Sequence, residues 1–452
     1  MSDTTETKQA PTRRAVVAGG TALAGVALVN TLASRSYAFA ADEALKVGIV
    51  GCGGRGTGAL SDAFSTSGKF KLIAMGDAFK DRLDGAHGTI SNHESVKGGK
   101  NVVDVPDDRK FVGFDAFKQV VDSGVDGVFL ATSPGWRPYH LEYAIKQGKN
   151  VFMEKPVATD AIGVRKVLEV AKIAKEKNLK IGVGLQRHHQ AVYEETIKYL
   201  QDGGIGEILY TRVYWNGNRP WVRNRQPDQT EMQYQMKNWY YFTWLCGDHI
   251  NEQHIHNMDV SNWLMGSAPS FAQGAGGIQG ARDKDRGEIF DHHSIEFVYG
   301  DKWDVGPRMV SMCRQIEGCW NDVSEHAYGT KAYCNLAGGI VKDYTGKVLW
   351  KSKAKGINPY EMEHEVLWDA VRNNKPHNEA EYGAMSTMTA ILGRNATYSG
   401  KMIKMSDALA SNMSLFPEGF PEKQLTWDTK PRSLPGADGF YPAAVPGTTQ
   451  VI

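Results

Sequence analysis

Leu45-Lys-Val-Gly-Ile-Val-Gly-Cys-Gly-Gly-Arg-Gly56 decides the fold. Its first half is a β-branched apolar run of strand length, and Gly51, Gly53 and Gly56 give the G-x-G-x-x-G spacing that turns a strand into a helix. Gly51 permits the tight turn. Gly53 and Gly54 let backbone approach a pyrophosphate, and Gly56 allows close packing of the helix whose N-terminal amides face the phosphates. Arg55 adds a positive charge there. A second strand, Phe70 to Met75, ends in Gly76-Asp77, the offset at which a carboxylate meets the adenosine ribose. Asp77 repels a 2′-phosphate, so NAD is favoured over NADP.

Outward from this stretch the alternation continues. Helical patterns at 114–123, 138–147 and 160–177 separate strands at 127–131, 150–153 and 180–184. Strands alternating with helices predict a Rossmann doubly wound parallel sheet over residues 41–185. Residues 84–108, rich in Gly, Asn, Asp and Lys, read as a surface loop. Ligands of such sheets lie beyond the carboxyl ends of the strands, which singles out Thr132, Pro134, Glu154, Lys155, Arg187 and His188. Residues 186–415 carry strand-like runs at 208–214, 294–299, 309–312 and 332–335 with helices near 360–373 and 384–398, an α/β domain built on a mixed sheet. Residues 416–452, with six prolines and little periodicity, read as an extended tail wrapping the body or a neighbour.

The chain of 452 residues balances 52 Lys+Arg against 51 Asp+Glu, so no long-range field draws it to nucleic acid. Five cysteines without CxxC spacing indicate neither a disulfide framework nor a structural zinc site, and read as buried small hydrophobes. Residues 1–40 have a different layout. Arg13-Arg14, a weakly apolar run from Ala15 to Val29 and Ala38-Phe39-Ala40 match a twin-arginine signal peptide. That predicts use of the twin-arginine export machinery, a periplasmic or extracellular location, and no stable membrane anchor after cleavage.

In the second half, Asn251 to Leu264 reads as one helix, placing Glu252, His256, Asp259 and Trp263 on a single face. Ionisable groups in a row on a face that meets a cleft are costly unless solvated, paired or working. His249, Glu252 and His256 also allow a metal reading through two imidazoles and a carboxylate. Between Tyr214 and Trp244 lie Trp215, Trp221, Trp239 and Trp244, with Tyr240, Tyr241, Arg219, Arg223 and Arg225. Such a set suits a sugar ring, with Trp239 and Tyr240 as contacts, and equally suits a subunit interface.

Taken together, Gly51 to Gly56, Asp77, Ala131-Thr-Ser-Pro134 with His140, Glu154-Lys155-Pro156, and His256-Asn-Met-Asp259 with Trp263 resemble the Gfo/Idh/MocA oxidoreductases, over residues 46–401. The resemblance implies a Rossmann domain followed by an α/β domain whose open, mostly antiparallel sheet carries the substrate site on one face and commonly an oligomer contact on the other, hence a homo-oligomer. It adds Thr132, Pro134, His140 and Glu154 to the cofactor site, places Lys155 against substrate and nicotinamide, and makes His256 the proton-transfer residue. Where the family has Asp four residues before that histidine, this chain has Glu252, and His254 replaces the usual glycine.

Hydride transfer from a secondary alcohol needs a base for the hydroxyl proton and a cation for the developing oxyanion; His256 suits the first and Lys155 the second. Asp259 or Glu252 would orient the imidazole. The expectation is an exported NAD-dependent oxidoreductase acting on a sugar, polyol or glycoside with a tightly held cofactor. The alternatives are a redox-neutral, NAD-dependent glycoside hydrolase or lyase and a non-catalytic binding scaffold.

Overall fold

The computed structural model describes residues 43–280 and 282–452. The twin-arginine segment lies outside the described residues. Among them, no helix is long and apolar enough to cross a membrane.

The first sheet consists of β1 (Leu45–Val50), β2 (Phe70–Asp77), β3 (Val102–Val103), β4 (Lys110–Val112), β5 (Gly127–Leu130), β6 (Asn150–Met153) and β7 (Ile181–Val183). All its ladders are parallel, in the order β3-β2-β1-β5-β6-β7, with β4 also on β2. Helices cover both faces, which is why β1, β5 and β6 are apolar without alternation. The G-x-G-x-x-G turn works by fit. Gly51 sits at φ +94°, a Cβ there would stand 2.5 Å from the Ala131 backbone, and one on Gly56 would stand 2.0 Å from the Gly51 carbonyl oxygen. Residues 84–108 are not the loop their composition predicts. They contain most of a helix (Lys80–Ser91), a short helix (Glu94–Lys97) and β3. Leu83, Ala86 and Ile90 on the first of these, spaced three and four apart, bury an apolar stripe that the surrounding polar residues mask in a plain reading.

The second sheet has nine strands: β8 (Ile208–Gly217), β9 (Phe271–Gly277), β10 (His292–Val298), β11 (Arg308–Gln315), β12 (Asp322–Gly329), β13 (Ala332–Asn335), β14 (Ile340–Asp343), β15 (Val348–Lys351) and β16 (Ile403–Lys404). Their order is β15-β14-β13-β12-β8-β11-β10-β9-β16, antiparallel except for β8 beside β11. Its inner face buries Val213, Ile295, Phe297, Met309 and Ala327, while the outer face exposes Val310 and Met312. That alternation is the mark of a sheet with one covered side. The buried helix Ala380–Ser399 packs between this sheet and the Rossmann helix Ala161–Glu176. The helix Pro359–Arg372 returns to the first sheet, where Trp368 lies against Phe129 and Phe70. The tail follows the body as loops, burying Phe416, Leu425 and Tyr441 among aromatic side chains. Cys52, Cys246, Cys313 and Cys334 are buried as expected; Cys319 is exposed.

Candidate active site

A cleft of about 480 Å³ runs from the glycine turn to the contact with the second domain. At one end stand Gly53 and Gly54. A Cβ on either would meet no atom within 4 Å, so the first turn of the helix Gly54–Ser65 offers open backbone amides to a phosphate. Asp77 closes the end of β2, accepting from the Cys52 amide at 2.6 Å and the Phe79 amide at 2.9 Å. A carboxylate fixed by two amides in the wall of the cleft suits a ribose diol. These features fit a dinucleotide. Phe79, Arg82, Phe114 and Phe117 complete this wall from the Rossmann side, and Trp221, Arg223, Lys237 and Trp239 roof it from the second domain. Trp221, Arg223 and Trp239 stood out in the sequence; Phe79, Phe114, Phe117 and Lys237 did not, since the two sides of the wall come from segments more than a hundred residues apart.

Arg55 is drawn away from the phosphate position. Its Nε donates to Glu154 at 2.6 Å and its Nη2 to Asp62 at 3.0 Å. Glu154 is therefore a partner for Arg55 within the cleft wall rather than a free acceptor. Thr132 lines the cleft, and its hydroxyl lies 3.3 Å from His140 Nδ1. Pro134 is buried at the start of a 3-10 turn and the cleft wall is formed by Ser133. His140 stacks on Phe117 at 4.2 Å; burial and the Arg137 charge push its pKa down to about 3, so the ring is neutral. Arg137 braces the next loop by donating to the Thr132 and Pro156 carbonyls.

Lys155 stands at the far end of the cleft. Its ammonium donates to the Glu252 carbonyl at 2.6 Å and to its carboxylate at 3.1 Å, with both side chains largely shielded from solvent. Glu252 thus restrains Lys155 and does not orient an imidazole. The predicted continuous helix is broken here into His249–Glu252 and Ile255–Met265. The second part is started by Gln253 and His254 carbonyls accepting from the His256 and Asn257 amides, so the single face of four residues does not exist. His256 stacks on Trp215 at 5.9 Å, and its Nδ1 has no partner. Burial, then the charges of Lys155, Arg187 and Arg55, hold its pKa well below the ordinary imidazole value, so it is neutral and able to accept a proton.

Asp259 pairs with His188 at 2.9 Å and accepts from Ser386 at 2.7 Å, not with His256. His188 is held between Trp263 and Tyr382, at 4.2 and 4.3 Å. Arg187 donates to Glu325, which also accepts from Asn257 and, at 2.7 Å, from the Tyr193 hydroxyl. Both substrate candidates at the end of β7 are therefore tied into internal pairs. Tyr240 is buried and accepts from Gln315 at 2.6 Å, which makes it a core residue rather than a sugar platform. His249, Glu252 and His256 are not brought together: the His249 ring lies beside Asp248 and His293 instead.

Residues 45–185 match the oxidoreductase family with an NAD-binding Rossmann fold, Gfo/Idh/MocA. Over these residues the chain carries the NAD-binding Rossmann domain of that oxidoreductase family. Among curated relatives, inositol 2-dehydrogenase of Ralstonia nicotianae is 28% identical over 236 residues, 51% of this chain and 57% of that protein. The inositol 2-dehydrogenase/D-chiro-inositol 3-dehydrogenase of Halalkalibacterium halodurans is 32% identical over 163 residues, 35% of this chain. The match to it spans 37% of that relative's own length. In fold, the chain is similar to aldose-aldose oxidoreductase from Caulobacter crescentus, with a TM-score of 0.61 at 16% identity over 80% of this chain and 100% of the other.

Proposed function

We propose that this protein is an exported, NAD-dependent oxidoreductase of the Gfo/Idh/MocA family that acts on a polyol or sugar and keeps its cofactor between turnovers. The observation that carries the reading is the placing of Lys155, clasped by Glu252, in the same cleft as the open amides of Gly53 and Gly54. Gly53, Gly54, Asp77 and Thr132 would hold the dinucleotide, and Asp77 supports NAD over NADP. A bound nicotinamide supplies the hydride acceptor and donor.

The remaining work falls to side chains. Lys155 stabilises negative charge on the substrate oxygen as its proton leaves, an effect of about 3–4 kcal/mol for a well-placed donor. His256, held neutral, takes that proton at Nε2, because its Nδ1 is enclosed by the protein. Glu252 holds the ammonium so that it does not have to be ordered in each turnover. The roof of Trp221 and Trp239 excludes water and slows loss of the nucleotide. Export by the twin-arginine route agrees with a cofactor loaded before translocation, since free NAD is scarce outside the cytoplasm. The same retention also suits a redox-neutral cleavage of glycosides. Homo-oligomer formation through the outer face of the second sheet is part of this reading, supported by exposed Val310, Met312 and Trp320.

The test is to purify the protein without added nucleotide, denature it, and read the supernatant by absorbance and mass spectrometry. Stoichiometric NAD or NADH, followed by reduction of the resident cofactor on adding inositols or aldoses, supports the reading. Protein that carries no nucleotide and binds none when it is added overturns it.

A further inference from the structure

Asp248, His249 and His293 form a fully buried cluster outside the cleft, with one ligand-type atom from each lying within 4.8 Å of the others. Asp248 Oδ2 is fully engaged, accepting from the Tyr398 hydroxyl at 2.6 Å and the Phe290 amide at 3.0 Å. Its Oδ1 is directed to His293 Nε2 at 3.2 Å and His249 Nε2 at 3.8 Å. His293 is engaged at both nitrogens, Nδ1 at 2.9 Å from the Thr397 hydroxyl and Nε2 at 3.2 Å from Asp248 Oδ1. With Thr397 donating to Nδ1, Nε2 carries the hydrogen toward the carboxylate, the position a metal ion takes when it replaces that proton. Both nitrogens of His249 are buried with no hydrogen-bond partner. A buried ring with neither nitrogen satisfied carries a desolvation cost of about 1–3 kcal/mol.

We propose that Asp248 Oδ1, His249 and His293 Nε2 bind a divalent transition cation, with zinc the natural occupant of a two-imidazole, one-carboxylate set. A tetrahedral zinc with bonds of roughly 2.0–2.2 Å has ligand atoms about 3.4 Å apart. The two edges from Asp248 Oδ1, 3.2 and 3.8 Å, bracket that value. Thr397 and Tyr398 supply the outer hydrogen bonds that fix a ligating imidazole and carboxylate. Cys246 is not a ligand: its thiol donates to the Tyr240 carbonyl at 2.9 Å and accepts from the Asp248 amide at 3.1 Å. The ion would tie the short helix His249–Glu252 to β10. This site is independent of the dinucleotide reading, since none of its residues lines the cleft.

The cluster has no solvent access, so metal must enter during folding. The full chain is therefore produced in zinc-supplemented medium, and separately with cobalt, then gel-filtered. About one zinc per chain is expected, and the cobalt protein shows the visible bands of a tetrahedral site without a thiolate charge-transfer band. His293→Gln and Asp248→Asn lose the metal, while His326→Gln on the outer sheet face keeps it. If the variants do not fold, X-ray absorption of the wild-type zinc protein decides, with two imidazoles and oxygen expected. Wild-type protein free of both metals, a sulfur ligand, or folded His293→Gln retaining zinc each overturns the proposal.

Discussion

Replacing glycines singly by alanine separates the two jobs of the Gly51–Gly56 turn. At position 53 an alanine Cβ meets no protein atom within 4 Å, and the backbone there is extended, at φ −73°. Gly53→Ala should therefore fold with stability changed by no more than about 0.5 kcal/mol. The methyl group projects into the space assigned to the pyrophosphate, and forcing a methyl into a fitted contact costs about 1–3 kcal/mol, or roughly a 5- to 150-fold weaker Kd. At position 56 the same methyl lies 2.0 Å from the Gly51 carbonyl oxygen, backbone against backbone, with no side chain to give way. Gly56→Ala should lose at least about 2 kcal/mol of stability whether or not nucleotide is present. Calorimetric titration with NAD gives Kd, and melting with and without NAD separates folding from binding. Gly53→Ala with unchanged Tm and wild-type Kd would show that the phosphates lie elsewhere, and the cofactor assignment would fall.

Lys155→Ala should lower kcat at least about 100-fold. Glu252→Gln keeps the carbonyl contact to Lys155 but loses the ionic one; kcat/KM should fall about tenfold, roughly 1.4 kcal/mol, with nucleotide affinity unchanged by titration. Because burial and neighbouring cations hold the His256 pKa down, its active neutral form persists into acid. The acid limb of the kcat/KM profile should therefore lie below pH of about 6.5, the ordinary imidazole value; a limb at or above that value argues against His256 as the base. Burial, then Glu154, pushes the Glu363 carboxyl well above its ordinary value, and both its oxygens lack partners. The native state holds that proton where the unfolded chain has released it, so the residue's destabilising effect grows as pH rises past about 4.3. Glu363→Gln should accordingly leave Tm unchanged near pH 4 and raise it increasingly toward pH 8.

The glycine turn, Asp77 and Lys155 were legible because each role depends on neighbours in sequence: a strand, a turn and the residue at its carboxyl end. The partners of these groups were not. Glu252 reaches Lys155, Glu325 reaches Arg187, and Asp259 reaches His188 only after two sheets have packed. The helix break at Gln253 was hidden because the residues around it carry no proline or glycine. The start of the first short helix was equally hidden: Asp248 caps it at a φ of +76°, held by tertiary contacts to Phe290, His293 and Tyr398. The spacing of His249, Glu252 and His256 suggested one ligand set, whereas folding turned His249 toward a strand that begins more than forty residues later.

Trp427 packs at a tilt against Phe79 at 5.2 Å and Phe114 at 4.6 Å, two of the residues that wall the cleft, and its carbonyl is held by Thr230 at 2.6 Å. Translation runs from the N-terminus, so the glycine turn and Asp77 leave the ribosome long before Trp427 exists. A nascent Rossmann domain can take up a dinucleotide before the segment around Trp427 is made and packs against the cleft wall. On the proposed reading, cofactor retention becomes a matter of birth order along the polypeptide: a chain nicked or truncated ahead of residue 427 should exchange nucleotide freely with its surroundings.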